Sequence, residues 1–263
     1  MTMTTARMPR AARPARTPAS SWRAAGSPQL VEILGVAGAG KSTLSAALCA
    51  HDHYRRGAFI RTRRPAHLAH ALRGLPRLLP VLAANVVRRP RLSWPDVKLM
   101  AYVTAWDRFL RRRYAGIDGV VVLDQGPIYA LVRLRAQDRG VTTTRAFQRW
   151  WDTMLSRWLR TLTAVVWLDA PDAVLRARID QRPQAHTVKG AGEVGLQFIT
   201  RYRRLFGQVL DRIAAAGAPA VRRFDTSAMD VAQLVAELTA DRTWIQEGPR
   251  PAPDIGDTRD TRR

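Results

Sequence analysis

The stretch Gly35-Val-Ala-Gly-Ala-Gly-Lys-Ser-Thr43 constrains this chain more than any other, because it fits G-x-x-x-x-G-K-[ST] and directly follows the apolar run Leu30 to Leu34. A strand, a glycine-rich turn and a helix in that order form a phosphate cradle. Successive backbone N–H groups turn inward, and the helix adds the positive end of its dipole. Lys41 reaches the outer phosphates and Ser42 offers a hydroxyl to Mg²⁺. Gly35, Gly38, Ala39, Gly40, Lys41, Ser42 and Thr43 are therefore the expected nucleotide-binding residues. Lys41, Lys98 and Lys189 are the only lysines among 43 basic residues, so a lysine between Gly40 and Ser42 is not a product of composition.

A chain of 263 residues can bury a large core, roughly 70% of its unfolded surface. One domain with two tails is expected. Residues 1–27 hold five arginines, no acid and no apolar periodicity, which suits a disordered basic tail, with an arginine-rich targeting peptide as the alternative. Residues 248–263, with Pro249, Pro251 and Pro253, form the other tail, leaving 28–247 as the domain. The net charge of +22 resides mostly in that domain, because the tails contribute nine arginines and three aspartates and leave it at +16. Its densest part is His53 to Pro95, with ten arginines and no Asp or Glu. Two explanations are open for that segment: a polyanionic ligand nearby, or solvated arginine-rich helix faces. Cys49 is the single cysteine, which excludes an internal disulfide and a thiolate metal cluster and points to a cytoplasmic chain. No apolar run reaches the ~18 residues of a membrane span, and no membrane partner is expected.

Short β-branched runs alternate with helical periodicity, the pattern of a doubly wound parallel α/β sheet with helices on both faces. Five strands are expected at Leu30 to Leu34, Ala58 to Thr62, Val120 to Leu123, Ala164 to Leu168 and Ala220 to Phe224. Helices are expected at Lys41 to Ala50, Pro95 to Arg113 and Thr144 to Leu162, with another starting at Pro171. Most aromatic residues on these helices are assigned to the core.

Two further groups carry chemistry. Asp124 ends a fully apolar strand, and ligands of open α/β sheets bind beyond the carboxyl ends of strands, so it is the expected second Mg²⁺ anchor opposite Ser42. Arg176, Arg178 and Arg182, followed by His186 and Lys189, suit a lid over residues 176–193 that neutralises a transferring phosphoryl group. Asn85 is the only asparagine, so the Asn-Lys-x-Asp guanine motif of GTPases is absent. A Leu-Ser-Gly-Gly-Gln transporter signature is absent too, and the chain is short for a ring ATPase. A small-molecule kinase remains.

Beyond the phosphate loop, the chain resembles the thymidylate kinase branch of the P-loop nucleoside and nucleotide kinases. Thr62-Arg63-Arg64-Pro65 is similar to that branch's Thr-Arg-Glu-Pro, Asp107-Arg108 to its Asp-Arg pair, and Asp124-Gln125-Gly126 to its Asp-Arg-Tyr. Leu168-Asp169, the arginines of the lid, and Phe198 with Tyr202 follow in the same order. The resemblance spans about Gln29 to Asp241 and implies a nucleoside monophosphate kinase-like fold, ATP and Mg²⁺ as cofactors, and a helical acceptor region over 53–115. It further implies acceptor binding by Arg63, Arg108 and Gln125, catalysis by Lys41, Asp124, Arg178 and Arg182, and metal binding by Ser42 and Asp124. The departures bear on the acceptor: Arg64 replaces an acid and Gln125 an arginine. With no acid between His53 and Pro95, an anionic acceptor fits that region better than a hydroxyl that needs a base, unless Asp124 or Asp96 serves as that base. The expected activity is therefore Mg²⁺-dependent phosphotransfer from ATP to a small, phosphorylated, thymidylate-like acceptor. The alternatives are a nucleoside or sugar kinase, and an ATP-binding regulatory or nucleic-acid-associated protein. A homodimer is compatible with each.

Overall fold

Strand β1, Gln29–Gly35, lies at the centre of a five-stranded parallel sheet of order β2-β3-β1-β4-β5. Its neighbours are β3, Val120–Asp124, and β4, Ala164–Asp169, which are covered on both faces and so consist of almost unbroken apolar residues. The edges are β2, Tyr54–Arg56, and β5, Ala220–Asp225, where Arg55, Arg56, Arg222 and Arg223 are tolerated. The computed structural model describes residues 28–59, 74–87, 91–137, 140–181, 190, 192–240 and 243–246.

Parallel strands require crossovers, and the helices supply them. They are α1 (Lys41–Leu48), α2 (Leu79–Val87), α3 (Trp94–Arg113), α4 (Pro127–Ala136), α5 (Arg145–Thr161), α6 (Asp172–Asp180), α7 (Gly192–Ala216), α8 (Val231–Ala240) and the short α9 (Thr243–Gln246). Helices α1 and α8 pack together, while α3, α4, α5 and α7 form a second group, the two layers of a doubly wound sheet. Starts are encoded locally. Ser93 and Asp96 form a reciprocal capping box on α3, and the Thr144 hydroxyl accepts the Phe147 N–H on α5.

Indoles lock the second layer. Trp106, Trp151 and Trp158 are fully buried, and each donates its N–H to a carbonyl on a neighbouring segment: Ala58 at 2.9 Å, Leu131 at 3.0 Å and Val103 at 3.1 Å. A buried N–H left unpaired would cost more than the bond gains, so these contacts fix helix positions as well as filling space.

Three sequence expectations need correction. The second strand is Tyr54–Arg56 instead of Ala58 to Thr62. The Gly57 N–H still bonds the Val122 carbonyl, but Ala58 then leaves the ladder, its N–H donated to the Tyr114 hydroxyl. Residues 60–62 lie outside the described ones. Helix α1 ends at Leu48, two residues before Ala50, and Pro171 is the cap preceding α6, which begins at Asp172.

Candidate active site

The loop between β1 and α1 has the backbone its glycines permit. Gly38 has φ of +87°, and a Cβ there would lie 2.7 Å from the Leu175 carbonyl oxygen, so both conformation and space demand glycine. Gly40 caps α1 in the left-handed region with no side chain over the helix N-terminus. The Lys41 ammonium donates to the Val36 carbonyl at 2.8 Å, curling over its own loop. Ser42 and Thr43 are exposed on the first turn of α1.

Asp124 lies one strand away, in register with Ile33 of β1. It is 8% exposed; Oδ1 is buried and finds no hydrogen-bond partner among the described residues, while Oδ2 is 3.9 Å from the Arg56 guanidinium. An unpartnered carboxylate oxygen at the end of β3 and an exposed hydroxyl at the start of α1 are hard oxygen donors of the kind that suit Mg²⁺. Gln125 follows with φ of +56°, an uncommon conformation for a side chain of its size, and the strain turns the chain sharply into α4.

That turn is held from below by Glu32. It lies in mid-β1, fully buried, and its carboxylate accepts the Ile128 N–H at 3.0 Å and the Tyr129 N–H at 2.9 Å. These are N–H groups of the first turn of α4, where Gly126 provides no side-chain cap. A Cβ at Gly126 would lie 2.5 Å from the Glu32 carboxyl carbon, so glycine is required for the acid to reach the helix. Burial pushes the Glu32 carboxyl up to about 8; the two N–H bonds pull it back and neighbouring Asp124 adds to the rise.

One cleft opens on the loop and a second opens beyond the end of β3. The first, of about 380 Å³, is lined by Gly38, Gly40, Thr43, Arg178, Thr226 and Asp230, among others. Arg178 is fixed there by bonds of 2.8 Å to the Thr226 hydroxyl and 2.7 Å to the Thr226 carbonyl. The other, of about 390 Å³, is lined by Phe59, Lys98, Tyr102, Gln125, Tyr129 and Arg133, among others, and none of its lining residues is acidic. Its apolar wall is a cluster of rings: Phe59 stacks on Trp106 at 5.5 Å, and Tyr102 is 4.3 Å from Trp106.

Of the residues singled out from sequence, the phosphate loop, Asp124, Gln125 and Arg178 gather at this carboxyl edge of the sheet. Arg108 does not. It is exposed and absent from the lining of either cleft, while its neighbour Asp107 is buried and bonded to Arg157 at 2.5 Å. Arg63, Arg64 and Arg182 lie outside the described residues, as do residues 182–189 and 191 of the lid expected over 176–193. Sequence reasoning passed over Glu32, Lys98, Tyr129 and Arg133 and took Arg56 only as part of the arginine-rich stretch from His53 to Pro95. Only Glu32 left a visible signal, a lone acid inside an apolar strand.

A central β1 leading into a phosphate loop, with a cleft on either side of it and helices on the sheet, is the fold of P-loop kinases. Among solved structures, the chain is similar to thymidylate kinase from Candida albicans, with TM-score 0.52 and 14% identity over 84% of this chain and 94% of that one. It is also similar to deoxyadenosine kinase from M. mycoides with bound dATP, with TM-score 0.48 and 15% identity over 82% and 99% of the two chains. No protein-family profile and no curated protein matches the sequence.

Proposed function

We propose that the protein transfers the terminal phosphoryl group of ATP to a small anionic acceptor of the nucleoside monophosphate type. The observation that carries this reading is the acceptor-side cleft: a second cavity of about 390 Å³ bordered by Gln125 just beyond the end of β3, aromatic on one wall, carrying Lys98 and Arg133 and no acid. An ATPase working on water needs no such cavity. A hydroxyl acceptor calls for a carboxylate base beside it, whereas a phosphorylated acceptor already carries its nucleophilic oxygen and needs positioning and charge neutralisation.

In this reading the cleft lined by Gly38, Thr43, Arg178 and Thr226 holds ATP, with its phosphates on the loop and Lys41 swinging from the Val36 carbonyl to the outer phosphates. Ser42 and Asp124 would hold Mg²⁺, which supplies charge neutralisation on the triphosphate. A planar base would stack against the Phe59 and Tyr102 rings, and Lys98 and Arg133 would hold the acceptor's phosphate. The acceptor oxygen forms its bond to the γ-phosphorus as the bond to the bridging oxygen breaks, and ADP leaves with that electron pair. Arg56, beside Asp124 at the end of β2, would offset charge developing between the two clefts.

An ADP-release screen over nucleoside monophosphates, nucleosides and phosphorylated sugars tests the proposal. Stimulation by at least one monophosphate is expected, and Lys41→Ala should lower that rate by at least about a hundredfold. ADP release indifferent to every acceptor, or full activity in the variant, would overturn it.

A further inference from the structure

Helix α2 is built almost wholly of apolar residues, and the fold uses only part of that surface. Val81 is buried, and the helix packs against α5 and the 3₁₀ turn Gly140–Thr143. Leu79, Pro80, Ala83, Val86 and Val87, at helical spacing, are all exposed and form one apolar stripe. Its larger members stand well out, with Leu79 61%, Val86 66% and Val87 81% exposed. Trp94, 67% exposed, opens the next helix. The connection ties it to the end of the stripe: the Leu92 N–H donates to the Asn85 side chain at 2.7 Å, and the Arg91 guanidinium to the Val86 carbonyl at 2.9 Å.

The surroundings are cationic. Arg77 precedes the stripe, Arg88 and Arg89 follow Val87 directly in the chain, Arg91 lies on its end, and the Lys98 ammonium is 5.4 Å from the Trp94 ring centre. No Asp or Glu occurs between His53 and Pro95, and the next acid, Asp96, is buried in its capping box. An aliphatic stripe followed by an exposed indole, with Arg77, Arg91 and Lys98 beside them and no acid in the segment, matches an anionic lipid surface. Aliphatic side chains enter the acyl boundary, the indole lies at headgroup depth, and the cations meet lipid phosphates.

Other partners fit less well. A second copy would set this cationic rim against itself with no acid in the segment to answer it. A nucleic acid would neutralise the arginines but leave Leu79, Val86 and Val87 in water. We propose that the α2 stripe and Trp94 dock the protein peripherally on anionic membranes. The expectation of no membrane partner came from the lack of a spanning segment; among the described residues no helix is long and apolar enough to cross a bilayer, and interfacial docking needs none. Pro95 and Lys98 also line the acceptor-side cleft, so docking sets the mouth of that cleft at the interface.

Co-sedimentation of the full chain with phosphatidylcholine vesicles, with and without phosphatidylglycerol, tests this independently of catalysis. Binding to the anionic vesicles alone is expected, weakening as salt is raised. The exposed triple variant Leu79→Ser, Val86→Ser, Val87→Ser should bind them at least about tenfold more weakly with an unchanged melting temperature. The arginine-rich residues 1–27 are present in both proteins, so equal binding by the variant would assign the interaction to that tail and overturn the proposal. So would absence of binding to anionic vesicles, or a wild-type dimer that the variant converts to monomer.

Discussion

Glu32 shows how much one side chain can organise. A carboxyl group fully buried in a central strand is costly unless it is hydrogen-bonded, and here the bonds are two otherwise uncapped N–H groups of α4. Tyr129 and Arg133 project from that helix into the acceptor-side cleft, so Glu32 sets their position without reaching the cleft itself. Its carboxyl is pushed up to about 8 in the folded protein against 4.5 for the unperturbed group. Between those values the folded chain holds a proton that the unfolded chain has lost, so stability falls as pH rises through that window. Glu32→Gln should flatten this part of the pH profile of the melting temperature; an unaltered slope would show that the group does not titrate there. Gly126→Ala forces a methyl group onto the same carboxylate and should destabilise by about 1–3 kcal/mol, read from chemical denaturation. Asp124 was legible in the sequence because a lone acid ending an apolar strand has few structural reasons to be there. Glu32 carried the same kind of signal, but its partners are about a hundred residues away, where no local pattern reaches.

At the level of elements, what was legible depended on how each is covered. The strands β1, β3 and β4 are buried on both faces, and the chain announces them as apolar runs. The edge strand β2 pairs on one side only, three residues long with two arginines, and the more apolar Ala58-Phe59 beside it drew the assignment downstream. Helix starts were legible where a cap resides in the sequence, as at Ser93 and Thr144. The pairing of α6 with the turn after β5 was not, because it rests on Arg178 bonding Thr226 across 48 positions. That contact forms one wall of the cleft proposed for ATP; on that reading Arg178→Ala should raise the KM for ATP about tenfold or more while the KM for the acceptor changes little. Equal rises in both would place Arg178 elsewhere in the cycle. Trp158→Ala should cost about 3–5 kcal/mol, since it opens a cavity between α3 and α5 and removes the indole bond to the Val103 carbonyl.

For the whole molecule, the charge of +22 is a constraint as well as a feature. A surface so one-sided draws anionic ligands inward and speeds their capture, at rates that fall with ionic strength. The kinase reading therefore carries an expectation for kinetics: kcat/KM for an anionic acceptor should drop steeply between low and high salt while kcat changes less, and salt-insensitive kcat/KM would remove steering from the account. The sheet also divides its labour along the chain. The side of β1 toward β4 and β5 is assembled from widely separated pieces, residues 38–44, 168, 178 and 226–234. The side toward β3 and β2 is drawn from the single interval 59–133. Apart from Asp124, which also lies in it, selection can rewrite that interval as one cassette and leave the cleft against the phosphate loop unchanged. Divergence confined to a cassette is a route by which a familiar fold acquires an acceptor its relatives do not share.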